Sequence, residues 1–227
     1  MLHRLSAFIV LLATAISTVG QSYTSLEEAL KNPMAVKTLD LSNQQLTELS
    51  ADIAKLTALE KLDLSDNKLS ALPKEITTLT KLKFLLITKN EFAVLPAEVC
   101  KLNSLEDLDF GYNSISTLPA EIGRLGKLKR LVGTKNNISK LPSEMIQMGK
   151  LEIVDFAYNQ FSDIPMPLME VRSLKAVDLS FNKGLGNFAS DIRNLQALRI
   201  LNLKETLITP AQVEDLTWLI ADCKITL

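Results

Sequence analysis

The chain has 227 residues, 47% of them hydrophobic and 22% charged, a balance that suits a folded protein and excludes a disordered one. Lys and Arg number 25 against 26 Asp and Glu, so a net charge of −1 gives no general case for nucleic acid or an anionic membrane as the partner. Two cysteines cannot build a disulfide framework, and the single histidine, His3, lies in a segment expected to be removed, which excludes Ser-His, Cys-His and histidine–metal arrangements together.

Residues 1–20 read as a signal peptide: a basic start at His3 and Arg4, an apolar run from Leu5 to Ile16, then small Ser17, Thr18 and Gly20. The run is shorter than the ~20 apolar residues a spanning helix needs. Cleavage after Gly20 leaves Gln21 as the new N-terminus, cleavage after Ser17 leaves Thr18, and an uncleaved anchor is the alternative. The expectation is an exported protein, extracellular, periplasmic or held at the cell surface, with no stable membrane insertion after cleavage.

Residues 21–35 predict an N-terminal cap, with Ser25 as N-cap, Glu28 three residues on, apolar Leu26, Ala29 and Leu30, and a stop at Pro33. From residue 36 to 208 the chain repeats. The first apolar position of each unit is Val36, Leu59, Leu82, Leu105, Leu128, Leu151, Leu174 and Leu198, every step being 23 residues except the last, which Gly184 lengthens to 24. The ninth position is Asn67, Asn90, Asn113, Asn136, Asn159 and Asn182, with Gln44 and Thr206 at the ends. Pro73, Pro96, Pro119, Pro142 and Pro165 follow a leucine or isoleucine in the outer part of the unit.

Each part of the unit has a physical task. LxxLxL puts apolar side chains on one face of a short strand, and strands of successive units pair in parallel. A buried asparagine can satisfy peptide groups where the chain leaves the strand. Proline holds the outer segment extended and donates no N–H to a ladder. One unit cannot bury its own apolar face, whereas a stack of about eight can. Residues 209–227 predict a C-terminal cap: Thr209 as N-cap, Pro210 and Gln212 behind it, an inward stripe of Val213, Leu216, Leu219 and Ile220, and a last short strand with Ile225 and Leu227.

This pattern resembles the leucine-rich repeat family, in the 23-residue class LPxxIxxLxxLxxLxLxxN found in secreted bacterial proteins and in eukaryotic intracellular scaffolds. The resemblance implies an α/β repeat solenoid, a horseshoe with a parallel concave sheet of about eight to nine strands. It also implies a non-catalytic binding scaffold, without cofactor or metal, that recognises its partner on the concave face.

Departures from the repeat single out residues. Gly133 stands at the sixth position, where its two neighbours are the phenylalanines Phe110 and Phe156, so the rings are expected to fill the space of the missing side chain; a ligand slot is the alternative. Positions 3, 5, 7 and 8 are expected to face solvent on the concave side. Aspartates dominate position 5 and read as filler rather than as a cation site, since hard cations want more oxygen ligands. Leu86 and Val132 interrupt that column, with Phe84 and Ile153 at position 3, Tyr112, Tyr158 and Phe181 at position 8, and Lys89, Arg130 and Lys135 alongside. Apolar and aromatic residues with basic neighbours suggest a protein-binding surface on a monomer, or, through the aromatics, a site for a glycan or cell-envelope polymer. Leu86 and Val132 favour protein, because aliphatic groups cannot hydrogen-bond a sugar. Trp218, opposite the inward stripe of the last helix, reads as a second contact or a dimer seam unless the end of the chain shields it. Cys100 and Cys223 read as idle thiols, too far apart to bridge.

Overall fold

The computed structural model describes residues 22–227, so the expected signal segment lies outside the described residues. The strands are β1 (Ser22–Tyr23), β2 (Thr38–Asp40), β3 (Lys61–Asp63), β4 (Phe84–Leu86), β5 (Asp107–Asp109), β6 (Arg130–Val132), β7 (Ile153–Asp155), β8 (Ala176–Asp178), β9 (Ile200–Asn202) and β10 (Lys224–Thr226). They form one parallel sheet in sequence order, and each repeat strand aligns with the same positions of the next. Ten strands exceed the eight to nine expected. The extra one is β1, which pairs Ser22–Tyr23 with Thr38–Leu39 and so covers the peptide edge of the first repeat. A two-residue strand carries no periodic signal, so nothing in the sequence marked it.

The leucines of the LxxLxL pattern are buried in one continuous core that runs the length of the stack. Its outer wall is made of short 3-10 turns, such as Ala51–Lys55, Lys74–Thr78, Ala120–Arg124 and Ser143–Gln147. Prolines 73, 119 and 142 sit at the N-cap of three of these turns, in extended conformation as their rings require. Each turn contributes a buried side chain, for example Ile53, Ile76, Ile122 and Met145.

The asparagine column is the polar spine of the stack. Asn67 accepts from the N–H groups of Gln44 and Leu46 at 3.0 Å each and donates to the carbonyls of Leu41 and Leu64, both at 2.9 Å. Asn182 repeats the arrangement, accepting from Phe161 N–H at 3.0 Å and donating to Phe156 and Leu179 at 3.0 and 2.8 Å. Every side chain therefore ties its own repeat to the one before it, satisfying peptide groups that neither sheet nor outer turn can reach.

Gly133 is occupied by its neighbours. A Cβ there would lie 2.5 Å from the Phe110 ring and 2.7 Å from the Phe156 ring, so the gap in the leucine column is filled and is not a ligand slot.

Both caps form. In helix α1 (Leu26–Ala29) the Ser25 side chain accepts from Glu28 N–H, but the helix is a single turn, with a separate 3-10 turn at Pro33–Ala35. Helix α2 (Met166–Met169) replaces the 3-10 turn of the sixth repeat. Helix α3 (Pro210–Leu219) carries the complete capping box: Gln212 N–H donates to Thr209 at 3.3 Å, and Thr209 N–H donates to Gln212 Oε1 at 2.9 Å. Leu216 and Ile220 are buried under it, and β10 closes the sheet beside β9. No helix among the described residues is long and apolar enough to cross a membrane.

Candidate functional site

The concave face is a grid, with strands as columns and repeat positions as rows. The row at position 2 alternates in charge: Lys37, Glu60, Lys83, Glu106, Lys129, Glu152 and Lys175, then Arg199. Ion pairs link Lys83 to Glu60 at 2.7 Å, Lys129 to Glu106 at 2.7 Å and Lys175 to Glu152 at 2.8 Å. The Lys83 hydrogen bond holds the Glu60 carboxyl below its usual range, and Glu106 raises Lys129 in turn. Sequence reasoning missed this row, although its alternating signs were there to read once the units were stacked.

The aspartates of position 5 do structural work. Asp40, Asp63, Asp109, Asp155 and Asp178 each accept the N–H of the residue two places on, at 2.9–3.0 Å, and so pin the turn that leaves the strand. Where Leu86 and Val132 replace aspartate, the residue two places on is a threonine in both cases, Thr88 and Thr134. Thr88 Oγ1 donates to the Gly111 carbonyl at 2.8 Å, and Thr134 hydrogen-bonds the Asp155 carboxylate. The local polar network is thus rerouted around the two apolar residues.

Position 8 carries the aromatic row, and its backbone was not foreseen. Asn43, Asp66, Lys89, Tyr112, Lys135, Tyr158, Phe181 and Glu205 all have φ between 52° and 59°, the left-handed region, and none is glycine. This conformation costs an L-residue roughly 1–2 kcal/mol, and asparagine or glycine would meet it more cheaply than Tyr or Phe. The side chains pair along the row: Lys89 with Asp66 at 3.2 Å, the Lys135 ammonium 4.9 Å from the centre of the Tyr112 ring, and Tyr158 stacked on Phe181 at 4.1 Å and 5°. Tyr112 and Tyr158 remain 40% and 44% exposed, forming a ridge along one side of the face.

The expected contact residues divide into three groups. Tyr112, Lys135 and Tyr158 are exposed, and Phe84, Leu86 and Phe181 are half-buried, so these six present themselves as a surface. Lys89 and Arg130 are committed to intramolecular ion pairs, Arg130 to Asp107 at 2.8 Å and, more loosely, to Asp109 at 3.9 Å. Val132 and Ile153 correct the sequence reading: they are only 6% and 8% exposed, because neighbouring side chains on the concave grid close over short aliphatics. They form the floor of the face, not its contact surface.

Burial pushes the Asp155 carboxyl up to about 6, with the neighbouring Asp178 charge adding to the effect. Burial also raises Asp107 and Asp109, against the opposing pull of Arg130. Cys100 and Cys223 are buried and free, their thiols raised by burial to about 12 and about 11. At the far end of the molecule Trp218 is 87% exposed, and Lys224–Thr226 pair into the sheet as β10 rather than folding back over the indole.

A ten-stranded parallel solenoid with an asparagine spine and a grid-like concave surface defines a repeat scaffold. The leucine-rich repeat region family matches residues 1–113, and the chain belongs to the leucine-rich repeat family. A leucine-rich repeat protein of Leptospira interrogans is similar in structure, with TM-score 0.75 and 32% identity over 91% of this chain and 58% of that one. An internalin of Listeria monocytogenes gives TM-score 0.75 at 24% identity, over 89% of this chain and 57% of that one. A plant peptide hormone receptor in complex with RGF2 gives 0.68 at 22%, over 90% of this chain and 34% of that one. The last two likenesses concern the fold alone. The chain spans under three fifths of the length of the Leptospira and Listeria proteins. A comparison with curated protein sequences returned no match.

Proposed function

We propose that this protein is an exported, monomeric, non-catalytic scaffold that recognises another protein through its concave face. The observation that carries this reading is the position-8 row, where Tyr112, Lys135, Tyr158 and Phe181 sit in a backbone conformation that favours other residues. Their contacts with one another along the row offset part of that backbone cost, and the faces they leave open to solvent are what a partner would take. Phe84 and Leu86 add half-buried apolar surface on β4, the kind of area that stabilises a complex by leaving water. Trp218 supplies a second contact, outside the face. Structures of similar fold include a plant peptide hormone receptor in complex with RGF2, which supports a binding role for this solenoid.

Glycan recognition is the second reading, and the ring geometry weighs against it. Phe181 covers one face of Tyr158 and the Lys135 ammonium one face of Tyr112, so each ring offers a sugar one face instead of two. The test pairs affinity capture from the host's envelope fraction with a glycan array, using the chain from Gln21 and its Tyr112→Ala, Arg130→Ala, Tyr158→Ala triple variant. A protein captured by the parent and lost by an equally stable triple variant supports the reading. Array binding without protein capture gives the face to glycans, and capture unaffected by the triple variant moves the site elsewhere.

A further inference from the structure

Three pairs of neighbouring aspartates lie on the concave face: Asp40 and Asp63 on β2 and β3, Asp107 and Asp109 on β5, and Asp155 and Asp178 on β7 and β8, and the last two pairs differ in what surrounds them. Asp107 and Asp109 on β5 share one cation, Arg130, whose Nη1 lies 2.8 and 3.1 Å from the two Asp107 oxygens. Asp155 and Asp178, directly opposite each other on β7 and β8, make no ion pair with any described residue. Cations on nearby strands are engaged elsewhere: Arg130 with Asp107, Lys135 over Tyr112 and Lys175 with Glu152. At position 3, from which Arg130 reaches its aspartates, β7 and β8 carry Ile153 and Ala176.

The surroundings strengthen any charge placed there. Val132, Ile153 and Ala176 are buried apolar side chains that form the floor, and the Tyr158–Phe181 stack stands beside them at position 8. Asp178 is held by Ser180 N–H at 2.9 Å, the Ser180 hydroxyl at 2.6 Å and Asn202 Nδ2 at 2.9 Å, so its orientation is fixed. Asp155 is held by Ala157 N–H at 3.0 Å and is only partly covered. Burial and Asp178 together raise the Asp155 carboxyl, so its negative charge lacks a counter-charge in the free protein.

We propose that the partner protein seats an arginine or lysine side chain over Asp155 and Asp178, with its neighbouring apolar residue against the Tyr158–Phe181 stack. The Arg130 seat one strand pair away shows the same chemistry satisfied from within the chain. The seated group would combine a charge-assisted bond in a poorly hydrated setting with an aliphatic stem laid on an apolar floor. This inference rests on the concave-face reading and names the chemistry of what that face takes.

The experiment is selection of a phage-displayed random peptide library on the chain from Gln21, followed by titration of the selected peptides made synthetically. The expected peptides carry Arg or Lys beside an apolar or aromatic residue. Their affinity should fall at least about tenfold when citrulline replaces the arginine or acetyl-lysine the lysine, and equally on Asp155→Asn. Asparagine at 155 keeps an oxygen for the Ala157 N–H, so the fold is expected to survive, as melting would verify. Asp63→Asn, an aspartate of the same row four strands away, should leave affinity unchanged. Peptides without a cation, or affinity insensitive to Asp155→Asn, or an equal loss with Asp63→Asn, would overturn the cation seat. In those cases loss of binding on Tyr158→Ala still upholds the concave-face reading, whereas peptides indifferent to Tyr158→Ala as well remove both.

Discussion

Positions 8 and 9 of the repeat are adjacent in the chain and opposite in what they are for. At position 9 the side chain points inward, and six repeats in a row use asparagine, because only a donor and acceptor of that length can bond the peptide groups of two repeats at once. At position 8 the backbone is equally uniform, left-handed throughout, yet the residues run Asn, Asp, Lys, Tyr, Lys, Tyr, Phe, Glu. Uniform side chains on a uniform backbone mark a structural demand. Varied and costly side chains on a uniform backbone mark a surface free to be chosen for something else, and that is where the proposed recognition falls.

Substitutions should separate the two rows. Asn136→Ala is expected to have the largest effect, on the order of 3 kcal/mol of lost stability, since it strands buried groups including Ile115 N–H and the Phe110 carbonyl; chemical denaturation measures it. Gly133→Leu should destabilise by roughly 1–3 kcal/mol, because its Cβ would already overlap both phenylalanine rings, and a neutral variant would show that those rings can move aside.

Asp155→Asn should act through pH. The folded protein holds this carboxyl at about 6, above its ordinary value of 3.8, so the native state binds the proton more tightly than the unfolded chain. Stability from this group is therefore full at low pH and declines as pH rises through that window, and the variant should be relatively more stable at pH 7 than at pH 4. The difference is about 2 kcal/mol at most, by denaturation at both pH values. A pH-independent effect would mean that Asp155 titrates normally.

Tyr158→Gly should change stability by less than about 1 kcal/mol, since relief of the left-handed backbone offsets the lost stack with Phe181, while partner binding is lost. A large destabilisation would make position 8 structural after all. Trp218 should change nothing in stability when replaced by Ala. Its fluorescence, with no other tryptophan in the chain, should be that of a hydrated indole open to acrylamide.

The sequence was most informative where side chains serve the backbone. The asparagine spine, the capping box at Thr209 and Gln212, and the volume exchange between Gly133 and two phenylalanines were all readable, because each is a local rule repeated in register. The face was less legible. Val132 and Ile153 have outward positions by period, but their exposure depends on the length of the side chains around them, which only the assembled grid determines. The left-handed row left no trace because neither glycine nor a majority of asparagine marks it. Strand β1 is too short to show a pattern, and the ion pairs of position 2 join residues 23 apart, which local reading does not connect.

That alternating row has a consequence for how the chain finds its fold. Repeats this alike invite an error in which one unit is looped out and its neighbours close up against each other. Along Lys37 to Lys175 such a skip would set Glu60 beside Glu106, or Lys83 beside Lys129, replacing each attraction with a repulsion between adjacent strands. The penalty falls on any single omission and vanishes when two units are skipped together, so the row works as a parity check on the order of assembly. It stops at Lys175 and Arg199, where the two strands straddle the inserted Gly184 and the unit's own length distinguishes it from the rest.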